Sequence, residues 1–355
     1  MKFLNYILLP LQIIYSIVIS SRNKLYNFKI LKTNQVNSIV ISVGNMSTGG
    51  TGKTPLVEYI AKLLSQYRLA ILSRGYKRKT SGFILANENQ KEASQIGDEN
   101  AQLYHKLENV MIGCDNDRYH GAKKLLELNK QLNIIVLDDA YQHRKIHRDI
   151  DIVLTEYKNL FINDSLFPIG SLREHKQGIQ RADIIIITKC PKNISNKERE
   201  ETEIKLKLNP NQKLYFSFIR NYNFLLMPDR KPYIIKSNKS DRKHITITGI
   251  QNPSRLIEFL QISSLNFHHL KFKDHYVFQT SDIKHIITLK SSINAAEEIL
   301  ITEKDYYRLS RSQKEELSKH CKLICIAIDI DFISNDKSNF NNQLLNFAKS
   351  KINLT

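Results

Sequence analysis

Lys53 and Thr54 sit near the middle of SVGNMSTGGTGKTPLVEYIAKLL (Ser42–Leu64), a stretch whose residue types and spacing fit a phosphate-binding loop. Gly49, Gly50 and Gly52 let the backbone turn tightly, so that successive N–H groups can converge on phosphate oxygens. Lys53 can reach β- and γ-phosphates, and the Thr54 hydroxyl suits Mg²⁺. The usual pattern, G-x-x-x-x-G-K-[ST], would put glycine at position 47, where Ser47 stands. Ser47 still offers its N–H, and Gly44 gives extra backbone freedom upstream. Ser47, Thr48, Gly49, Gly50, Thr51, Gly52, Lys53 and Thr54 are therefore read as the nucleotide site. A glycine-rich turn that merely contains a lysine is the alternative.

Acidic and basic groups elsewhere complete a phosphoryl-transfer set. NIIVLDD ends an apolar run in Asp138 and Asp139. Carboxylates at the carboxyl end of a buried strand point into the crevice where ligands bind, and one of them can hold Mg²⁺. IGDEN pairs Asp98 with Glu99, and paired carboxylates can divide the work of base and metal ligand. Arg118 in GCDNDRYHGA is a candidate phosphate clamp, and Arg74 in SRGY and Arg173 in SLREHKQGIQRAD are further candidates. Each of these, taken singly, is equally a solvated surface charge. His275 follows Asp274 in KFKDHYVF, and spacing alone favours a structural role for it. Thr188-Lys189 invites comparison with a guanine-reading motif, but Pro191 stands where that motif needs Asp.

These residues need elements to position them. SIVISV (Ser38–Val43) is a short β-branched run before the loop, and PLVEYIAKLL has apolar residues at helical spacing after it. Pro55 suits a first helical turn. LAIL, NIIVLDD, DIVL and ADIIIITK repeat the apolar-strand pattern, with helical patterns such as GAKKLLELNKQL between several of them. That alternation predicts an α/β fold with a parallel sheet covered on both faces. Asn209 to Ser240 reads as an extended linker, with a β-hairpin as an option. A second alternating block, with HITITGI, EEILITEKD and LICIAIDI, predicts a smaller α/β domain. The expected boundaries are a helix over 1–24, a P-loop domain over 25–215, a linker over 216–240 and the smaller domain over 241–355.

With 355 residues, 41% hydrophobic and 25% charged, the chain can bury a core, and its net charge of +18 favours anionic partners. Lysine-rich composition bias explains the same number. Four cysteines without a CxxC pair, and no histidine cluster that completes a zinc spacing, suit reduced, structural thiols. FLNYILLPLQIIYSIVIS (Phe3–Ser20) is mostly apolar, but Asn5, Pro10, Gln12 and Ser16 weaken it as a spanning helix. Arg22, Lys24, Lys29 and Lys32 follow and would hold the downstream side on an anionic cytoplasmic surface. A membrane-associated helix is expected, with an ordinary core helix as the alternative.

Taken in order, VGNMSTGGTGKTP, SRGY, GDE, a DR pair, LDDAYQHR, LRE, RAD with TK, TGI-x-NP, DHY and TEKD resemble the tetraacyldisaccharide 4'-kinase family, the lipid A 4'-kinases. The matching elements span about Phe3 to Asp305. The resemblance implies two α/β/α domains of P-loop NTPase type with a mostly parallel sheet, joined by a β-stranded linker around an active-site cleft. It implies transfer of the γ-phosphate of ATP, with Mg²⁺, to the 4'-hydroxyl of a tetraacyldisaccharide 1-phosphate at the cytoplasmic face of the bacterial inner membrane. No nucleic acid and no obligate protein partner are expected. Under the resemblance Asp98 deprotonates the sugar hydroxyl, His275 assists it, and Lys53 and Thr54 keep their loop roles. Glu99, Asp138 and Asp139 are associated with Mg²⁺, and Gln142, His143, Arg74, Arg118 and Arg173 stand beside substrate or phosphate. Asn100 after GDE and Ala140-Tyr141 in the acidic motif depart from the commoner pattern. A nucleic-acid-binding ATPase switch and a small-molecule kinase are the competing readings.

Overall fold

The computed structural model describes residues 2–235, 243–293 and 297–352. Parts of the expected linker and smaller domain (236–242, 294–296 and 353–355) lie outside the described residues. The chain opens with α1 (Lys2–Asn27). Then come β1 (Ile39–Asn45), α2 (Lys53–Leu63), β2 (Leu69–Ser73), β3 (Ile84–Leu85), α3 (Ala93–Ile96) and α4 (Asp98–Lys106). β4 (Met111–Cys114), α5 (Arg118–Leu128), β5 (Ile134–Asp138), β6 (Ile150–Glu156), β7 (Ile184–Thr188) and α6 (Asn196–Leu206) complete the first half.

β1 lies between β5 and β6 and pairs parallel with both, Val43 opposite Asp138 on one side and Ile152 on the other. β2 and β4 extend the sheet beyond β5, and β7 extends it beyond β6. All seven β1 residues are buried, as a strand covered on both faces requires. The crevice above β1 is the point where successive connections leave in opposite directions along the sheet, which is where such folds bind ligands. The phosphate loop leaves β1 there, and Asp138 ends β5 beside it.

The second half begins inside a strand. β8 (Lys213–Leu226) pairs parallel with β7 over Lys213–Phe216. From Ser217 it pairs antiparallel with β13 (Lys322–Phe332). One 14-residue strand therefore belongs to both halves of the sheet. Its far end also pairs with β9 (Lys231–Pro232) as a short hairpin. The remaining elements are β10 (His244–Thr248), α7 (Ser254–Ile262), β11 (Phe267–Lys271), α8 (Thr280–Ser292) and β12 (Glu298–Thr302), followed by α9 (Glu303–Arg308), α10 (Arg311–His320) and α11 (Asp336–Ile352). β11, β10, β12 and β13 are parallel neighbours in that order. The main apolar core runs through both halves, from Ile41 and Leu56 to Ile247, Ile301 and Phe340.

α1 lies on the body by polar contacts. Gln12 Nε2 donates to the Leu166 carbonyl at 2.8 Å, Tyr15 Oη to the Arg173 carbonyl at 2.8 Å, and Arg22 to the Gln142 carbonyl at 2.9 Å. Ile7, Leu11, Ile14 and Val18, at spacings of four and three, leave an exposed apolar stripe. Among the described residues no helix is long and apolar enough to cross a membrane.

Candidate active site

The phosphate loop spans β1 and α2, and its glycines serve two different needs. Gly49 and Gly52 have φ of +124° and +92°, which L side chains rarely adopt. Gly44 is glycine for another reason than backbone freedom: its φ is not positive, and a Cβ there would stand 2.7 Å from Cβ of Tyr141. The aromatic ring in the acidic motif is thus fully buried against β1, where its hydroxyl donates to the Gly178 carbonyl. Within the loop, the Thr48 N–H goes to the Ser171 carbonyl and the Thr51 N–H to the Gly49 carbonyl. Gly49, Gly52, Lys53 and Thr54 have no protein acceptor for their N–H groups among the described residues, which leaves these donors for an anion. Pro55 falls in the first turn of α2.

Lys53 Nζ lies 3.6 Å from Asp139 Oδ1, and Arg173 NH1 donates to the same oxygen at 2.7 Å. Burial would raise the Asp139 carboxyl, but Lys53 and Arg173 outweigh it and hold it below the usual carboxylate range. Asp138 is its opposite. It is fully buried, and neither carboxylate oxygen has a partner among the described residues. Burial, then the charges of Glu99 and Asp139, push its carboxyl up to about 7. A buried carboxylate without donors is costly unless a cation joins it. Asp138 is therefore the carboxylate whose surroundings fit a cation such as Mg²⁺. No cluster of three or more metal-ligating side chains occurs among the described residues, so most ligands would come from nucleotide and water, as is usual for this ion.

Arg118, Gln142 and His143 stand behind this pair. Arg118 is buried and aims NH1 at the carbonyls of Asp115 and Asn116 and NH2 at those of Asp138 and Asp139. It braces the acidic turn from below, where the sequence pointed to a phosphate clamp. The Gln142 amide donates to the Asn45 carbonyl at 3.0 Å and to Glu174 Oε1 at 2.8 Å, tying the loop's root to the Arg173 segment. Burial and Arg118 push His143 down to about 4, and its neutral Nε2 accepts the Arg118 N–H at 3.2 Å. Arg74 is exposed, with Nε 3.4 Å from Asn116 Oδ1.

Asp98 opens α4 on the other bank. A Cβ at Gly97 would meet the Gly75 backbone at 2.9 Å, so the SRGY and GDE motifs touch glycine against glycine. Both have positive φ. Tyr76 then stacks edge-on against His275 at 4.9 Å, and Lys77 donates to the His275 carbonyl at 3.2 Å. His275 comes from the second half and places Nδ1 2.9 Å from Asp98 Oδ2. Its φ of +54° is a left-handed conformation that the surrounding contacts hold in place.

Arg308 completes the network and was not among the residues the sequence singled out. Its Nε donates to Asp98 Oδ2 at 2.8 Å, and NH1 reaches the Gly249 carbonyl at 2.6 Å and Asp305 Oδ1 at 2.7 Å. Asp305 Oδ2 accepts from the Gly249 N–H and from Thr302. The signal was present in TEKDYYR: an Asp and an Arg three apart share one face of a helix turn. Lys304 pairs with Glu99 Oε1 at 3.1 Å. Burial works to raise the Asp98 carboxyl, but the His275 hydrogen bond and the Lys304 and Arg308 charges overcome it and hold it well below the ordinary range. Glu303 joins Lys106, Gln102 and Arg230, and Lys106 also pairs with Glu58 on α2. This buried network locks α2, α4 and α9 together and so fixes Asp98 relative to the loop.

The arrangement joins a partly unsatisfied phosphate loop, an unpartnered acidic group and an ionised carboxylate held across two halves of the fold, a set that suits phosphoryl transfer. A family model described as Tetraacyldisaccharide-1-P 4'-kinase matches residues 4–349. A tetraacyldisaccharide 4'-kinase of Flavobacterium johnsoniae is 39% identical over 353 residues, covering 99% of each chain. That of Flavobacterium psychrophilum is 40% identical over 356 residues, covering 99% of this chain and 98% of the relative. In structure the chain is similar to LpxK from Aquifex aeolicus, a crystal structure of the "apo" form in complex with ATP, with a TM-score of 0.74, 28% identity, and coverage of 97% and 99%.

Proposed function

The chain belongs to the tetraacyldisaccharide-1-phosphate 4'-kinase family, and from that premise we propose how its residues share the reaction. It is an ATP-dependent phosphotransferase that phosphorylates the lipid A precursor at the 4' position. Asp98 is the base. The single observation that carries this assignment is that Asp98 is buried, with its two oxygens unequally engaged. Oδ2 receives His275 and Arg308, while among the described residues Oδ1 receives only the Glu99 N–H at 2.9 Å. Oδ1 therefore keeps room for the sugar hydroxyl. A carboxylate of low basicity suffices, because the hydroxyl needs a proton acceptor only as phosphorus approaches. His275 and Arg308 orient Asp98 and keep it charged.

Lys53 and the loop's N–H groups hold the β- and γ-phosphates, and Arg173, which meets the same Asp139 oxygen as Lys53, adds positive charge there. Asp138 and Thr54 would hold Mg²⁺, with Glu99 and Asp139 contributing field to the site, and the bound ion would supply charge neutralisation for the transferring phosphate.

The acceptor is a lipid, and α1 is read as the element that meets its bilayer. The exposed stripe of Ile7, Leu11, Ile14 and Val18 supports an interfacial position, and the exposed Lys24, Lys29 and Lys32 support contact with anionic headgroups. That reading places the enzyme on the cytoplasmic face of the bacterial inner membrane, where ATP is available. The test is transfer of labelled γ-phosphate from ATP to a tetraacyldisaccharide 1-phosphate in detergent micelles, with Lys53→Ala as control. Transfer by the wild-type chain that the variant loses is the expected result. ATP binding without transfer would mean that the acceptor is another alcohol.

A further inference from the structure

The loop Gly249–Pro253, which follows β10, touches both banks of the cleft. At its start, Gly249 is clasped by the base network. Its N–H goes to Asp305 Oδ2 at 2.7 Å, and its carbonyl accepts Arg308 NH1 at 2.6 Å and the His275 N–H at 3.2 Å. Two residues later, Gln251 reaches across to the phosphate loop. Its Oε1 accepts the Gly50 N–H at 2.6 Å. The same amide lies over Gly49, where a Cβ would stand 2.6 Å from Oε1 and 2.8 Å from Nε2. Lys189 Nζ donates to the Gly50 carbonyl at 2.7 Å, and Arg255 donates in turn to the Lys189 carbonyl.

The N–H groups of a phosphate loop serve anionic oxygens. A side-chain amide oxygen is a neutral imitation of such an acceptor. Gln251 is exposed, and among the described residues its side chain makes no other hydrogen bond. The contact is therefore poorly explained as a means of fixing Gln251, and it takes up a donor that a bound polyphosphate needs.

We propose that Gln251 is a positioning residue that stands in for phosphate at Gly50 and is displaced when the β- and γ-phosphates of ATP arrive. Because Gln251 and Gly249 share one short loop, the displacement is felt at Arg308 and through it at Asp98. Nucleotide occupancy is thereby coupled to the setting of the base. The inference rests on the kinase reading, which supplies the polyphosphate.

One N–H cannot serve both acceptors fully, so removing the competitor strengthens nucleotide binding by about the worth of one hydrogen bond, roughly 3–10-fold. The experiment is calorimetric titration of the full chain and of Gln251→Ala and Gln251→Glu with ATP and with AMP. Gln251→Ala is expected to tighten ATP roughly 3–10-fold and leave AMP unchanged, since AMP lacks the competing phosphates. Gln251→Glu places a charged acceptor on Gly50 and is expected to weaken ATP by about 10-fold or more. In turnover, Gln251→Ala lowers the KM for ATP and lowers kcat with it. A merely structural side chain would not give opposite signs for the two variants. Unchanged ATP affinity in Gln251→Ala, or an equal change for AMP, would overturn the proposal while leaving the kinase reading standing. A wild-type chain that fails to bind ATP would overturn both.

Discussion

The two banks of the cleft solve opposite electrostatic problems. On the phosphate bank, Asp138 is fully buried without a hydrogen-bond donor, and several loop N–H groups lack acceptors among the described residues. On the base bank, Asp98 is nearly as buried but receives His275 and Arg308, with Lys304 close by. The first bank is incomplete until nucleotide and cation arrive. The second is assembled in advance, from groups contributed by both halves of the chain. Burial by itself thus says little about a carboxylate's charge. The donors around it decide, and here they set two buried aspartates apart, the carboxyl of one raised and that of the other depressed.

The largest effects should fall on chemistry. Asp98→Ala is expected to lower kcat by about 10²–10⁴-fold with ATP affinity nearly unchanged. Equal loss of ATP binding in a calorimetric titration would mean that Asp98 belongs to the phosphate bank. Lys53→Ala should lower kcat by roughly 10²–10³-fold and weaken ATP as well, because its ammonium serves ground and transition states. Arg308→Gln tests whether the base bank works as a unit. It should lower kcat by about 10-fold, the size of one charge-assisted hydrogen bond. It should also move the acidic limb of the pH profile upward, because Asp98 loses a cation that holds its carboxyl down. An unmoved limb would assign that limb to another group.

The phosphate bank was largely legible in the sequence. A loop motif is local: strand, glycines, Lys53 and Thr54 follow one another, and Asp138 ends an apolar run that can only be a buried strand. The base bank was not legible on spacing alone. Asp98, His275 and Arg308 lie on α4, on the loop after β11 and on α9, and meet only because β8 carries one sheet into the other. Asp98 stood out as one of a carboxylate pair, and the resemblance supplied its role and that of His275. Arg308 stayed hidden because an arginine on a short helix reads as surface charge until the fold places Gly249 and Asp98 against it. The partners of Arg118 are backbone carbonyls, which sequence does not display. β4, with four residues and one β-branched side chain, gave too short an apolar run to declare itself.

The smallest effect sharpens the comparison most, because the two aspartates should respond with opposite signs. In the presence of a chelator, Asp138→Asn removes a buried carboxyl that has no hydrogen-bond partner among the described residues. The wild-type carboxyl is raised to about 7 when folded, against about 3.9 when unfolded, so its folded form binds a proton that its unfolded form releases between those values. Wild-type stability therefore falls as pH rises across that window, and the Asn variant should gain progressively there and hold a constant lead above it, roughly 2–8 °C in Tm. Asp98 is depressed instead. Its stabilisation is present above the unfolded value of about 3.9 and is lost as pH falls through the lower folded value. Asp98→Asn should be the less stable protein at neutral pH, with the gap closing in acid. Melting curves of both variants between pH 3 and 9 decide the matter. Parallel behaviour would mean that the donors around Asp98 do not set its charge, and the division of the two banks would fail with it.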